Sequence, residues 1–286
     1  MANVQLTIVP LTEKEIAAGD AIIIAAYPTA SSRAPELLRY VRLEPDGWFL
    51  ALVDQHPVGL GGAVNYGPFA YIGLIGVLPE MQHQGIATRL MRHILDWLAT
   101  RDCPVALLDA SIMGQPLYAQ LGFVVDDQSE VWLAPPDYAV RLPTNTKVAT
   151  LEATDLSALV AYDTPHFGAN RAQVLAALLH EFPGRLLARH NAAGQITGFA
   201  LAQERTIGPW VADSPADAAT VLHAALTLPF PQPPTVLLPA ANTDGAALLA
   251  RAGFVRQRAL SHMRLGELVP PRTRLDQYGI ASFALG

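Results

Sequence analysis

Gly76-Val77-Leu78-Pro79-Glu80-Met81-Gln82-His83-Gln84-Gly85-Ile86-Ala87-Thr88-Arg89-Leu90 is the stretch on which the fold turns. An apolar strand ends at Pro79, a short polar loop follows, and the period changes at Gly85. From there Ile86, Leu90, Ile94, Trp97 and Leu98 share one helical face while Thr88, Arg89, Arg92 and Asp96 fall elsewhere, the pattern of an amphipathic helix laid on a sheet. The first amides of such a helix have no intrahelical acceptor, and the helix dipole favours an anion in front of them. Small residues at Gly85 and Ala87 let a phosphate approach the backbone, so the expected ligand is a pyrophosphate. The G-x-G-x-x-G order of dinucleotide folds and the G-K-[ST] of P-loops are both absent. The competing reading is an ordinary strand-to-helix turn with a glycine at the cap.

Working outward, Val4 to Pro10 alternates like an edge strand, and Thr12 with Glu15 forms a capping box that opens a helix toward Ala26. Trp48 to Val53, Pro57 to Tyr66 and Tyr71 to Leu78 read as an antiparallel meander. Beyond the central helix come a short buried strand at Val105 to Leu108, a short helix at Gln115 to Leu121, and a strand or hairpin at Phe123 to Leu133. Meandering strands followed by a strand linked through a helix imply a mixed α/β fold with a mixed, mostly antiparallel sheet flanked by helices. Ala134-Pro135-Pro136-Asp137 to Arg141-Leu142-Pro143-Thr144-Asn145-Thr146 breaks every periodic signal and is the linker candidate.

The second half repeats this outline: strands at Lys147 to Leu151, Arg185 to Arg189 and Ile196 to Gln203, and helices from Asp155 and over Ala216 to Leu226. Leu117-Tyr118-Ala119-Gln120-Leu121-Gly122-Phe123-Val124 returns as Leu248-Leu249-Ala250-Arg251-Ala252-Gly253-Phe254-Val255, its Gly-Phe-Val step 131 residues later. Gly59 is echoed by Gly198, so the Gly-to-Gly spans are 63 and 55 residues. Two copies at this period are a duplication, not a solenoid. In the second copy Ile207 to Pro215 is the counterpart strand, but Ala216-Asp217-Ala218-Ala219-Thr220 has neither Gln-x-x-Gly nor a glycine, and Leu249 replaces Tyr118. An Asp at that helix start repels phosphate, so this copy is expected to be non-catalytic.

Composition bounds the rest. The chain has 286 residues, 51% hydrophobic and 15% charged, enough apolar surface for two cores and too little charge for disorder. With 25 acidic and 19 basic residues the formal charge is -6, which gives no field for nucleic acid. A single cysteine, Cys103, fits a reducing cytoplasmic setting and reads as a packed thiol. The eight histidines show no i, i+4 pair with an acid, so no metal site is expected. No run of 18 apolar residues suggests a membrane span, and Thr12 to Glu15 breaks the apolar start, so neither a signal peptide nor a membrane partner is expected. Trp48, Trp97 and Trp132 read as core or sheet-face residues.

The order Val77-x-Pro79-x-x-Gln82-x-x-Gly85-x-Ala87 resembles the [QR]-x-x-G-x-[GA] acyl-CoA signature of the GNAT acetyltransferase superfamily. Leu117-Tyr118-x-x-Leu121-Gly122-Phe123 resembles its later motif. The resemblance covers about residues 3 to 134, and the duplicated layout, with Asp163 to Arg171 after the second copy's first helix, is similar to tandem-GNAT proteins with a divergent C-terminal copy. It implies two GNAT-like domains, with a splayed strand pair at the cofactor site of the first. It also implies that acetyl-CoA lies along Val77, Leu78 and Pro79, with a backbone N–H near Val77 or Leu78 facing the thioester oxygen. By the same resemblance, Gln82 and the amides of Gln84, Gly85, Ile86, Ala87 and Thr88 would hold the pyrophosphate, and Tyr118 would be the general acid.

Two departures follow from the comparison with the family. Ser111 stands where many members have an Asn on the pantetheine arm. The expected Glu base is not evident on the Tyr71 to Leu78 strand, and Asp109 is the nearest acidic candidate, set against a cap or turn role. His83 reads as exposed within the loop, and His166 and Phe167, in a Pro/Gly-flanked loop, either line an acceptor pocket or pack.

The expected organisation is a catalytic domain over 1–135, a linker at 136–143, a degenerate GNAT-like domain over 144–269 and a tail at 270–286 whose Ile280, Phe283 and Leu285 pack on the body. The expected activity is N-acetyl transfer from acetyl-CoA to a primary amine of a small-molecule acceptor, by a monomer or homodimer. The alternative is a non-catalytic acyl-CoA-binding regulatory module, favoured by the missing base and the degenerate copy.

Overall fold

In the computed structural model the described residues are 5–27, 31–138, 148–267 and 274–286. Val4, Lys147, most of the 136–143 linker and the first residues of the 270–286 tail lie outside the described residues. The architecture is mixed α/β, with mostly antiparallel open sheet flanked by helices. Two compact units emerge: Met1–Leu108 with Arg264–Glu267 and Leu285, and Asp109–Met263 with Leu268–Ala284 and Gly286. Among the described residues no helix is long and apolar enough to cross a membrane.

The first unit orders its strands β1 (Leu6–Pro10), β2 (Trp48–Val53), β3 (His56–Asn65), β4 (Ala70–Val77) and β5 (Ala106–Ala110, whose last two residues fall in the second unit). β1 to β4 pair antiparallel, and β2 turns into β3 through Asp54 and Gln55, both at positive φ as a tight hairpin requires. β4 and β5 are parallel, and a parallel pair needs a crossover. That crossover carries α3 (Ile86–Ala99), which buries Ile86, Leu90, Met91, Ile94, Trp97 and Leu98 as its period predicts. α1 (Ile16–Ala26) follows the capping box, in which the Glu15 carboxylate accepts from the Thr12 N–H at 3.1 Å. α2 (Ala34–Leu43) is absent from the sequence reading; Leu37, Tyr40 and Val41 are its buried face.

The second unit contains α4 (Gln115–Gln120), β6 (Val124–Leu133), β7 (Ala149–Thr150), α5 (Leu156–Phe167), α6 (Ala172–Glu181), β8 (Leu186–His190), β9 (Ile196–Ala202), β10 (Thr206–Ala212), α7 (Pro215–Leu226), β11 (Thr235–Pro239), α8 (Thr243–Arg251), β12 (Val255–Leu265, its last two residues in the first unit) and β13 (Gln277–Gly279). Its strand order is β12-β6-β11-β10-β9-β8-β7, with β13 added on β10. Phe123 to Leu133 is thus one strand and not a hairpin. β6 pairs along β11 from Ser129↔Pro239 to Leu133↔Thr235, which is why α4 and β6, first-copy elements by sequence, pack in the second unit.

The duplication is legible in register. Gly59 lies opposite Val77, the last residue of β4, and Gly198 lies opposite Ala212, the last residue of β10. Glu152 and Asp155 repeat the capping box before α5. In the tail, Ile280 and Leu285 are buried and Phe283 packs against Val131, Leu237, Leu260 and Ile280.

Candidate functional site

β4 carries a bulge. Its register with β3 shifts between Gly62↔Gly73 and Leu60↔Gly76, and Leu74 takes a left-handed φ of 55°. β5 pairs with β4 only at Ala70↔Ala106 and Tyr71↔Leu107, so the strands part beyond Tyr71. The far end of β4 therefore has one backbone edge against β3 and, among the described residues, no strand paired on the other. The Leu78 N–H donates to the Val58 carbonyl at 2.9 Å, and successive amides of a strand face opposite edges, so the Val77 N–H is turned to the open edge. Of the two amides expected near a thioester oxygen, Leu78 is thus committed to β3 and Val77 is the one aimed into the splay.

The loop between β4 and α3 begins with a 3-10 turn at Pro79–Met81. Gln82 is half-buried, and its amide donates to the Val77 carbonyl at 3.1 Å, tying the loop to the strand end. Gln84 donates to the Glu80 carbonyl at 3.4 Å. His83 and Gly85 both have left-handed φ, 61° and 76°, and His83, Gln84 and Gly85 are exposed. Gly85 is the N-cap of α3 and offers no side-chain cap; a Cβ there would meet no atom within 4 Å. The first bond inside the helix runs from the Arg89 N–H to the Gly85 carbonyl at 3.0 Å, leaving the amides of Ile86, Ala87 and Thr88 ahead of the ladder. The Ile86 side chain is packed with Ala51, Val58 and Val77, which anchors the helix start while its backbone faces the loop. A fourteen-residue helix thus starts with no side-chain cap at Gly85 among the described residues, its dipole and first amides facing the loop.

The second copy keeps the scaffold but starts its helix differently. The eight residues 78–85 between β4 and α3 correspond to two, Asp213 and Ser214, between β10 and α7. Ser214 caps α7 by accepting from the Asp217 N–H at 3.1 Å, Pro215 removes one donor, and Asp217 sets a negative charge in the first turn. β10 also parts from β11, after Thr206↔Thr235 and Ile207↔Val236. Here β13 fills the gap, pairing with β10 at Trp210↔Gly279 and Val211↔Gln277, and the Ile280 N–H donates to the Leu237 carbonyl at 2.9 Å. The fit is close: a Cβ on Gly208 would stand 2.2 Å from the Ile280 carbonyl oxygen. The chain supplies its own strand where the first copy leaves an open edge.

Three expected site residues belong to the second unit. Ser111 is exposed, and its hydroxyl accepts from the Gly114 N–H at 3.2 Å ahead of α4. Tyr118 is buried on α4, edge-on to Phe123 at 6.1 Å, with a Cβ on Gly114 limited to 3.0 Å from its ring. Asp109 is fully enclosed. Its Oδ1 accepts from the Ser129 hydroxyl at 2.6 Å and lies 3.1 Å from His262 Nδ1, while Arg274 donates to Ser129 at 3.0 Å and to Asp127 at 3.1 Å. Burial alone would raise its carboxyl, but the charge and hydrogen bond of His262, the charge of Arg274 and the Ser129 hydroxyl outweigh burial and hold it below the usual carboxylate range.

The expected Pro/Gly-flanked loop at His166 and Phe167 is instead the last turn of α5, which contains Pro165 and ends at a left-handed Gly168. Phe167 is buried; His166 pairs with Asp276 and lies 3.6 Å from Asp213. Sequence reasoning did not find β13, the partners of Asp109, or Tyr27, whose hydroxyl donates to the Ile75 carbonyl at 2.7 Å.

Against known proteins, the profile of the acetyltransferase (GNAT) family matches residues 17–123 and that of an acetyltransferase (GNAT) domain matches residues 159–279. No curated protein sequence matches the chain. Among solved structures, a candidate acetyltransferase from Pyrococcus horikoshii is 28% identical, with a TM-score of 0.86 over 100% of this chain and 99% of that one. A GCN5-related N-acetyltransferase from Sphaerobacter thermophilus is similar in fold at 16% identity, TM-score 0.68, over 95% and 98% of the two chains. A tandem GNAT protein from the clavulanic acid biosynthesis pathway shares the fold at 14% identity, TM-score 0.58, over 92% and 98%.

Proposed function

The chain belongs to the GNAT acetyltransferases in their tandem arrangement, and from that premise we propose that its first copy binds acetyl-CoA and transfers the acetyl group to a primary amine, while its second copy is non-catalytic. The observation that carries the proposal is the contrast between two equivalent helix starts: α3 is uncapped behind an open strand edge, and α7 is capped, acidic and behind an edge filled by β13. The residues of the first copy fit acetyl-CoA. The amides of Gln84 to Thr88 meet the pyrophosphate, Gly85 leaves it space, and the open edge of β4 offers main-chain pairing to the pantetheine arm.

A neutral amine attacks the thioester carbonyl, and the Val77 N–H stabilises the negative charge that develops on its oxygen. Tyr118, by its position in the later motif, holds the proton that goes to the departing thiolate. Asp109 is the acidic candidate for taking the amine proton. Its enclosure and low pKa make it a weak base, and they favour a role in holding Ser129, His262 and Arg274. The acceptor is a small molecule, and the chain's acidity tilts it toward a cationic one.

The test is release of CoA thiol from acetyl-CoA across a panel of small amines, beside a thermal shift with CoA alone. Amine-dependent release supports the transferase. A CoA-induced shift without release from any amine favours an acyl-CoA-binding module.

A further inference from the structure

The hydroxyl of Tyr27, the residue that ends α1, donates to the carbonyl oxygen of Ile75 at 2.7 Å. Peptide planarity and strand alternation fix which edge of β4 this is. Leu78 and Gly76 turn their N–H groups to β3, so the Ile75 carbonyl, across the same peptide plane from the Gly76 N–H, points to the open edge. The Val77 N–H points to that edge too. The Ile75–Gly76 peptide directly follows the left-handed Leu74, where the bulge interrupts the regular ladder, so β3 holds its plane from one edge and Tyr27 adds a second hold from the other. α1 sits close over this point: a Cβ on Gly76 would lie 3.2 Å from Ala26 Cβ and 3.4 Å from the Tyr27 ring. Burial pushes the Tyr27 hydroxyl up to about 12, so it remains a protonated donor at neutral pH.

The second copy supplies a comparison within the same chain. Tyr27 stands fifteen residues after Thr12 of its capping box, and Phe167 stands fifteen residues after Glu152 of the repeated one. The copy whose strand edge is open carries the hydroxyl, and the copy whose edge is filled by β13 carries a buried phenyl ring.

We propose that Tyr27 is a positioning residue for acyl transfer: through the Ile75 carbonyl it fixes the backbone between the bulge and Leu78, so that the Val77 N–H is aimed at the thioester oxygen. Val77 is then bracketed by Tyr27 on one side and by the Leu78 to Val58 bond on the other. This rests on the reading of the first copy as the acetyl-CoA site.

Isotope-edited infrared spectroscopy of carbonyl-13C acetyl-CoA bound to the full chain tests it without an acceptor. A donor aimed at the thioester oxygen lowers the carbonyl stretch relative to free acetyl-CoA. Tyr27→Phe is expected to return about half or more of that shift, with acetyl-CoA affinity within about threefold of wild type. A full shift retained in Tyr27→Phe overturns the inference and leaves the acetyl-CoA reading intact. No binding by the wild type overturns both. Should Tyr27→Phe not fold, 3-fluorotyrosine at position 27 keeps the shape and donates more strongly; it is expected to deepen the shift, and an unchanged shift overturns the inference.

Discussion

Placing a charge at Gly85 probes the proposed pyrophosphate site at a position with room for a side chain. Gly85 has a φ of 76° and a Cβ there would have nothing within 4 Å, so Gly85→Asp introduces strain and charge but no clash. Gly85→Asn is the matching control, because Asn and Asp have nearly the same shape and both tolerate left-handed backbone at a cost of about 1 kcal/mol. A carboxylate about 5 Å from a phosphate interacts at about 1 kcal/mol per unit charge in bulk water and about 3 kcal/mol at a surface-like dielectric. Screening at the exposed loop leaves about 2 to 3 kcal/mol against a pyrophosphate, roughly 30- to 160-fold in Kd. Calorimetric titration with CoA is therefore expected to show Gly85→Asn within about fivefold of wild type and Gly85→Asp weaker than Gly85→Asn by that margin, the gap narrowing in high salt. Equal affinity of the two variants at low salt would refute the placement of the pyrophosphate at this helix start.

Tyr118→Phe is expected to lower acetyl transfer by about 100-fold or more while leaving CoA affinity nearly unchanged; equal loss of both in a thiol-release assay paired with titration would make Tyr118 a binding or packing residue. His166 faces Asp276, Asp213, Asp163 and the Tyr162 ring, and its hydrogen bond to Asp276, its largest influence, raises its pKa above 6.5 against the opposing effect of burial. A raised pKa contributes stability that is fully present below the unfolded value and lost as pH climbs through the folded one, so Tm should fall as pH rises above about 6.5 in wild type and less in His166→Gln. Parallel melting curves for the two proteins would remove this clasp from the account.

Much of the first copy was readable because its signals are local. The α3 face, the Thr12 and Glu15 box and Gly85 each depend on residues within a few turns of one another. His166 and Phe167 misled because Pro165 and Gly168 look like loop punctuation, whereas Pro165 is accommodated inside α5 and Gly168 serves as its left-handed end. The Leu37, Tyr40 and Val41 spacing behind Pro35 was a usable sign of α2. The surroundings of Asp109 had no such sign, since Arg274 and His262 lie 145 residues beyond Ser129 and 153 beyond Asp109. The filling of the second splay by β13 was equally hidden: Gln277-Tyr278-Gly279 is too short to announce a strand, and it forms one because β10 offers an unpaired edge.

The central claim is that one copy of the duplicated fold binds acetyl-CoA and the other has closed its own site. The stoichiometry of acetyl-CoA binding to the intact chain tests it most directly. Calorimetry should give one equivalent per chain, and Gly85→Asp should greatly weaken that single event. Two equivalents per chain, or one that Gly85→Asp leaves untouched, would contradict it.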